Sequence, residues 1–249
     1  MAINLEEGRY CQQMVLVHLD TNHQDISVAA RKFGLDCSLH ETRHSFDVHH
    51  ASRRAHAPTI GDYKLAKRIV RCLAGSADLK LSMNCDGGTN LPLRIECFTD
   101  ADFAGVKRDR ESISGGIVRI NGMIVGWHCK KQTAVALSTA ESEYVAASIG
   151  AKELLGLKEL AGEIGFQVAI PMVMKMDNQA AIKRVENEAS SSQAKRVDVR
   201  LKFIGDYYKK GTIKPTYVST NDMLADILTK PLPAPRLQDL RTLVGLEKA

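Results

Sequence analysis

Asn121 and Gly122 stand between two short β-rich runs, "GGIVRI" and "MIVGWHC". Asn-Gly is the strongest local signal for a two-residue hairpin, because both central residues must take positive φ. Just upstream, "RIECFTD" alternates apolar and polar positions as a half-buried strand does. The three runs together predict an antiparallel set. Ser138 then offers an N-cap to a long helix from Ala140 to about Ile164, and "MVMKMD" reads as a further strand. A helix from about Asn178 to Glu188 follows, then the polar connection "EASSSQ". "AKRVDVRLKFIGDYYKKG" is predicted helical with Gly211 as its stop, "TIKPTYVS" a strand, and "NDMLADILTK" a helix closed by Pro231. Hairpin strands followed by alternating helices and strands define an α/β domain, a mixed sheet with helices on its faces.

Upstream the pattern is weaker. "TIGDYKLAKRIVRCLAGS" places Tyr63, Ala66, Ile69, Val70 and Leu73 at helical spacing and ends at Gly75. Lys64, Lys67, Arg68 and Arg71 share the remaining face, which is either a solvated surface or a stripe that meets phosphates. "LKLSMN" reads as a short strand and "CDGGTN" as a turn. Residues 1–57 carry seven of the eight histidines. Cys37, His40 and His44 lack the paired spacing of familiar zinc sites, so no metal is expected there. The six cysteines include no CxxC pair and are expected to be reduced thiols of an intracellular protein. No apolar run approaches the ~20 residues of a membrane helix, and "MAINLEEGRYCQQMVLVHL" lacks the basic start and apolar core of a signal peptide. The formal charge of +5 permits a polyanionic partner without demanding one.

Acids fall at informative places in this order of elements. Asp100 ends the first strand of the hairpin set, Glu143 lies in the first turns of the long helix, Asp177 ends "VMKM", and Asp226 lies in the last short helix. Each has a structural explanation open to it. Asp100 meets a loop, where Asp is common, and Asp177 is placed to cap the helix that follows. Glu141 fits the capping-box position after Ser138, which leaves Glu143 without that task. Glu143 shares a face with Ala146, Ala147 and Gly150, small residues that let a helix approach a sheet. Asp226 is flanked by apolar residues, where an unpaired acid is disfavoured. Taken together the four point to a carboxylate cluster, which repels itself unless cations are bound.

"HAPTIGDYKLAKRIVRCLAGS", "FTDADFAG" with "RESISGGIV", "GWHCKKQTAVALSTAESEYVAA", "MDNQAAI" and "NDMLADILTKPLP" occur in the order found in another group of chains. From about Pro58 to Leu246 the sequence resembles the C-terminal part of a copia-type retrotransposon polyprotein, the tail of the reverse transcriptase followed by its ribonuclease H domain. The resemblance implies an RNase H-like fold, a five-stranded mixed sheet flanked by helices, with three antiparallel strands and two further ones. It divides the chain into an unassigned segment 1–57, a reverse-transcriptase tail 58–90, an RNase H-like domain 91–232 and a C-terminal tail 233–249. Metal-dependent endonucleolytic hydrolysis of the RNA strand of RNA·DNA hybrids is the implied activity. Asp100, Glu143, Asp177 and Asp226 become the catalytic residues and the ligands of two Mg²⁺ ions, with Mn²⁺ as a substitute, and Asp102 stays outside the ligand set.

Nucleic-acid contacts are expected from Lys130, Lys131 and Gln132, next to the third strand, and from Arg196, Arg200 and Lys202. Trp127 is expected in the core rather than stacked on a base. "AKRVDVRLKFI" stands where the family often has "TKHIDIRYHFI", so Arg196 and Lys202 replace two histidines; "TRHSF" replaces "TRPDI". No YxDD polymerase motif and no integrase-like segment is present, so polymerase activity is not expected. The implied partners are the hybrid and the reverse transcriptase or other polyprotein parts, with no membrane. A second reading is a catalytically inactive remnant that binds nucleic acid or a polymerase partner; a DNA-directed nuclease of the same superfold is a third.

Overall fold

A computed structural model describes residues 58–75, 78–82, 92–105, 110–190 and 199–248. Residues 1–57, with Cys37, His40 and His44, lie outside the described residues. The chain divides into two units, one made of the stretch up to Leu81 together with Pro231–Ala249, the other Ser82–Lys230.

In the first unit, helix α1 (Ile60–Gly75) opens on a reciprocal cap. Thr59 donates its N–H and its hydroxyl to the Asp62 carboxylate, and its Oγ1 accepts from Asp62 N–H. Asp62 thereby satisfies helix-start donors as a capping box does. Lys64, Lys67, Arg68 and Arg71 face solvent, with Lys67 Nζ 4.7 Å from the centre of the Tyr63 ring. Strand β1 (Leu79–Leu81) pairs antiparallel with β7 (Leu246–Lys248), which follows helix α6 (Ala234–Leu243). The stretch expected to be a tail therefore carries a helix and a strand. Its signal is weak because the buried anchors of this stretch, Leu240, Val244 and Leu246, are few and β7 is three residues long.

The second unit holds strands β2 (Ile95–Asp102), β3 (Ile113–Ile120), β4 (Met123–Lys131), β5 (Met172–Met176) and β6 (Ile213–Tyr217). They form one sheet in the order β4-β3-β2-β5-β6. The β2–β3 and β3–β4 pairs are antiparallel, and the β2–β5 and β5–β6 pairs parallel. Three antiparallel strands and two further parallel ones in one five-stranded mixed sheet match the arrangement that the sequence resemblance implies. Asn121 (φ 50°) and Gly122 (φ 85°) both adopt the left-handed conformation that the two-residue hairpin requires. Pro215, which cannot donate to a ladder, is tolerated because β6 is an edge strand.

Helix α2 (Thr139–Glu163) lies over β2 and β3, and helices α3 (Gln179–Ser190) and α4 (Val199–Lys209) complete that face. Cys97, Val118, Tyr144, Ala147, Ala151, Leu154, Met174, Val185 and Ile204 fill the core between them. At Gly150 the helix and the sheet are in close contact: a Cβ there would lie 2.4 Å from Thr99 Cγ2. The long helix ends at Glu163, within a residue of expectation.

One expected helix forms only in part. "NDMLADILTK" is a 3₁₀ turn, Thr220–Asp222, then an extended residue at Met223, then the short helix α5 (Asp226–Thr229). Met223, Leu224, Ala225, Ile227 and Leu228 are all buried, so this segment is enclosed on all sides and packing overrides its helical pattern. Gly115 of β3 makes room for it, since a Cβ there would meet Thr229 Cγ2 at 2.6 Å.

Candidate metal centre

Everything that builds the centre lies in the unit Ser82–Lys230. Asp100 sits opposite Gly115 in the β2–β3 ladder and is fully buried. A strand fixes the carboxylate more rigidly than a loop does. One of its oxygens accepts from the Thr229 hydroxyl, and the other accepts from Lys230 Nζ at 2.8 Å.

Glu143 arrives from the first turns of α2. Ser138 caps that helix by accepting from Glu141 N–H at 3.2 Å, and Glu141 reaches back to accept from Leu137 N–H at 2.7 Å. Glu141 is thus spent on the helix start, as its spacing predicts. Glu143 points the other way, is buried, and its Oε2 has no hydrogen-bond partner. Burial, then the charges of Asp100 and Asp177, push its carboxyl up to about 9, against a smaller lowering by the Ala101 N–H and by Lys230.

Asp177 follows the last residue of β5. The helix cap it was placed to supply belongs to its neighbour, because Asn178 Oδ1 accepts from Ala181 N–H at 3.0 Å. Asp177 is left half-buried, accepting from Thr220 Oγ1 at 3.2 Å, and burial followed by Asp100 raises its pKa. Ligand oxygens of Asp100, Glu143 and Asp177 lie within 4.8 Å of one another. Asp226 opens α5 beside this group and accepts from Lys230 Nζ at 2.6 Å. Its pKa is raised by burial first and by Asp100 second. Burial works against the charge of Lys230, but Asp100 and Asp226 outweigh it and hold the ammonium above the usual lysine range.

The residues fit a divalent cation. Three converging carboxylates, one of them carrying a buried oxygen that no donor meets, present the hard oxygen ligands that Mg²⁺ and Mn²⁺ take. Asp102 is half-buried and outside the group; its carboxylate lies over Gly105, where a Cβ would collide with it.

The expected nucleic-acid contacts separate. Lys130 is exposed. Lys131 is ion-paired with Glu111. Gln132, expected as a nucleic-acid contact, is buried, and its Nε2 donates to Ser114 Oγ and Ser142 O, both at 2.9 Å. That amide ties β3 to the start of α2 and so supports Glu143. Trp127 is half-buried. Arg196 lies outside the described residues, as do the side chains of Arg200 and Lys202 in α4. Thr229 and Lys230 were not anticipated as members of the centre. The signal was present, since Asp226 and Lys230 stand four residues apart, the spacing at which helical side chains meet.

No family model matches the chain. It is 33% identical over 204 residues to the retrovirus-related Pol polyprotein from transposon RE2 of Arabidopsis thaliana, covering 82% of this chain and 14% of that one. To the corresponding polyprotein from transposon TNT 1-94 of Nicotiana tabacum it is 32% identical over 220 residues, 88% of this chain and 16% of that one. The chain thus spans only about a seventh of the length of these relatives. Among solved structures, the N-terminal RNase H domain of a Mycobacterium tuberculosis protein aligns with 60% of this chain and 97% of its own, at 14% identity and a TM-score of 0.38.

Proposed function

We propose, from the premise that this chain belongs to the Pol polyproteins of copia-type retrotransposons, that its residues 91–232 act as their ribonuclease H. The reaction is endonucleolytic hydrolysis of the RNA strand of an RNA·DNA hybrid during reverse transcription. The convergence of Asp100, Glu143 and Asp177 within 4.8 Å, with Glu143 Oε2 buried and unpartnered, carries this reading.

Asp100, Glu143, Asp177 and Asp226 would hold two divalent ions, Mg²⁺ or Mn²⁺. Such ions, when bound, activate a water and stabilise the leaving oxygen of the cleaved phosphodiester. The protein's own residues set the conditions. Thr229 fixes one Asp100 oxygen, Asn178 frees Asp177 from capping, and Glu141 frees Glu143. Lys130, with Arg196, Arg200 and Lys202 on the segment 196–202, supplies phosphate contacts that position the hybrid. Selection of RNA comes from its 2′-hydroxyls and the minor-groove shape of the hybrid.

In this reading residues 58–90 are the tail of the reverse transcriptase, the chain's natural partner, and the setting is intracellular. No helix among the described residues is long and apolar enough to cross a membrane. The test is Mg²⁺-dependent cleavage of a labelled RNA·DNA hybrid, with duplex DNA and single-stranded RNA as controls. Cleavage confined to the RNA strand of the hybrid supports the proposal. Binding of the hybrid without cleavage would mark the chain as an inactive remnant.

A further inference from the structure

We infer that Lys230 is a built-in cation that holds the place of a divalent ion between Asp100 and Asp226, and that an ion entering on that side must displace it. This deepens the metal-dependent reading above and rests on it. Lys230 Nζ lies 2.8 Å from Asp100 Oδ1 and 2.6 Å from Asp226 Oδ1. Both acids are almost wholly buried, whereas the lysine side chain is 32% exposed. The ammonium therefore reaches inward on a stem that meets solvent.

The two sides of Asp100 differ in kind. Toward Glu143 and Asp177 the carboxylates converge with one oxygen unpartnered. Toward Asp226 the two acids already share one cation of the protein, the Lys230 ammonium. Without Lys230, Asp100 and Asp226 would be buried like charges facing each other, which is costly. A divalent ion placed beside the ammonium would meet like-charge repulsion in a site of low dielectric. Lysine's flexible four-carbon stem lets the charge withdraw, which a rigid arginine fork would resist. Lys230 is also the residue at which α5 ends and the backbone becomes extended (φ −123°, ψ 143°). It follows that two ions bind in unequal steps, the first at Asp100, Glu143 and Asp177, the second against Lys230.

The test is calorimetric titration of the full chain with Mn²⁺ and, separately, Mg²⁺, for the wild type and Lys230→Met. The wild type should show a tighter and a weaker step. Lys230→Met should tighten the weaker step about tenfold while lowering the melting temperature of the metal-free protein. A merely structural lysine would lower the melting temperature and leave the weaker step where it was, and that result overturns the inference. Should Lys230→Met not fold, acetylation of Lys230 in the wild type, read by peptide mass spectrometry, replaces it. Labelling that rises at saturating Mn²⁺ supports displacement, and unchanged labelling overturns it. A wild type that binds no divalent ion would instead remove the metal-dependent reading underneath.

Discussion

Gly150 of α2 lies against Thr99 of β2 with no room for a methyl group, a Cβ there standing 2.4 Å from Thr99 Cγ2 and 3.0 Å from Cys97 Sγ. This contact sets the distance between the helix that carries Glu143 and the strand that carries Asp100. Gly150→Ala gains up to ~1 kcal/mol in helix propensity, but overpacking a buried contact costs roughly 1–3 kcal/mol. The packing cost wins. Denaturant unfolding should show a net loss of stability, and Gly150→Ala/Thr99→Ser, which deletes the offending Cγ2, should recover part of it. A stabilised single variant would contradict the packing described.

His128 of β4 is buried over Gly116, and neither ring nitrogen has a hydrogen-bond partner. Burial, with Lys130 nearby, lowers its pKa from 6.5 to about 4. The unfolded chain therefore binds a proton that the folded one refuses between those values. Stability should be flat in this respect above pH 6.5 and fall as the pH drops toward 4, by roughly 3 kcal/mol in all. His128→Phe should flatten that slope; an unchanged slope would place the acid sensitivity elsewhere.

Glu143 titrates with the opposite sign. Its folded pKa of about 9 lies above the ordinary 4.5, so the metal-free fold loses stability as pH rises through that window. Glu143→Gln should therefore melt higher than the wild type at pH 8 without metal, and the gap should close toward pH 4.5. A melting temperature equal to the wild type's throughout would mean that Glu143 is not held against its charge.

Asp177 and Asn178 are neighbours with separable tasks. Asn178→Ala removes the α3 cap and should cost ~1 kcal/mol while divalent-ion affinity persists. Asp177→Asn should leave stability equal or higher and weaken ion binding. Thermal melts and metal titrations of the two variants, run side by side, decide it. Exchange of the two phenotypes would reverse the assignment.

Most of the architecture was legible because it is written in local signals. Asn121-Gly122 dictates the hairpin, Ser138 and Glu141 start α2, and Gly211, at φ 64°, follows α4. Three of the four acids found one another as their places at strand ends and a helix start suggested. What the chain hides is set by tertiary contact. The enclosed segment breaks its helical pattern at Met223 and resumes it only over Asp226–Thr229, and Gln132 is tied inside by Ser114 and Ser142, which lie far from it in sequence. Lys230 stands just before Pro231, and only the fold brings it to Asp100, 130 residues away in sequence.

The most direct test of the metal centre compares Asp100→Asn, Glu143→Gln and Glu141→Gln in Mg²⁺-dependent cleavage of a labelled RNA·DNA hybrid. Asp100→Asn and Glu143→Gln each remove a converging carboxylate and should reduce cleavage to background while hybrid binding survives. Glu141→Gln keeps an oxygen to accept the Leu137 N–H and should retain most activity. Loss of cleavage in Glu141→Gln with full activity in Glu143→Gln would place the functional acid two residues earlier on α2. Metal-dependent cleavage undiminished in both Asp100→Asn and Glu143→Gln would contradict the centre altogether.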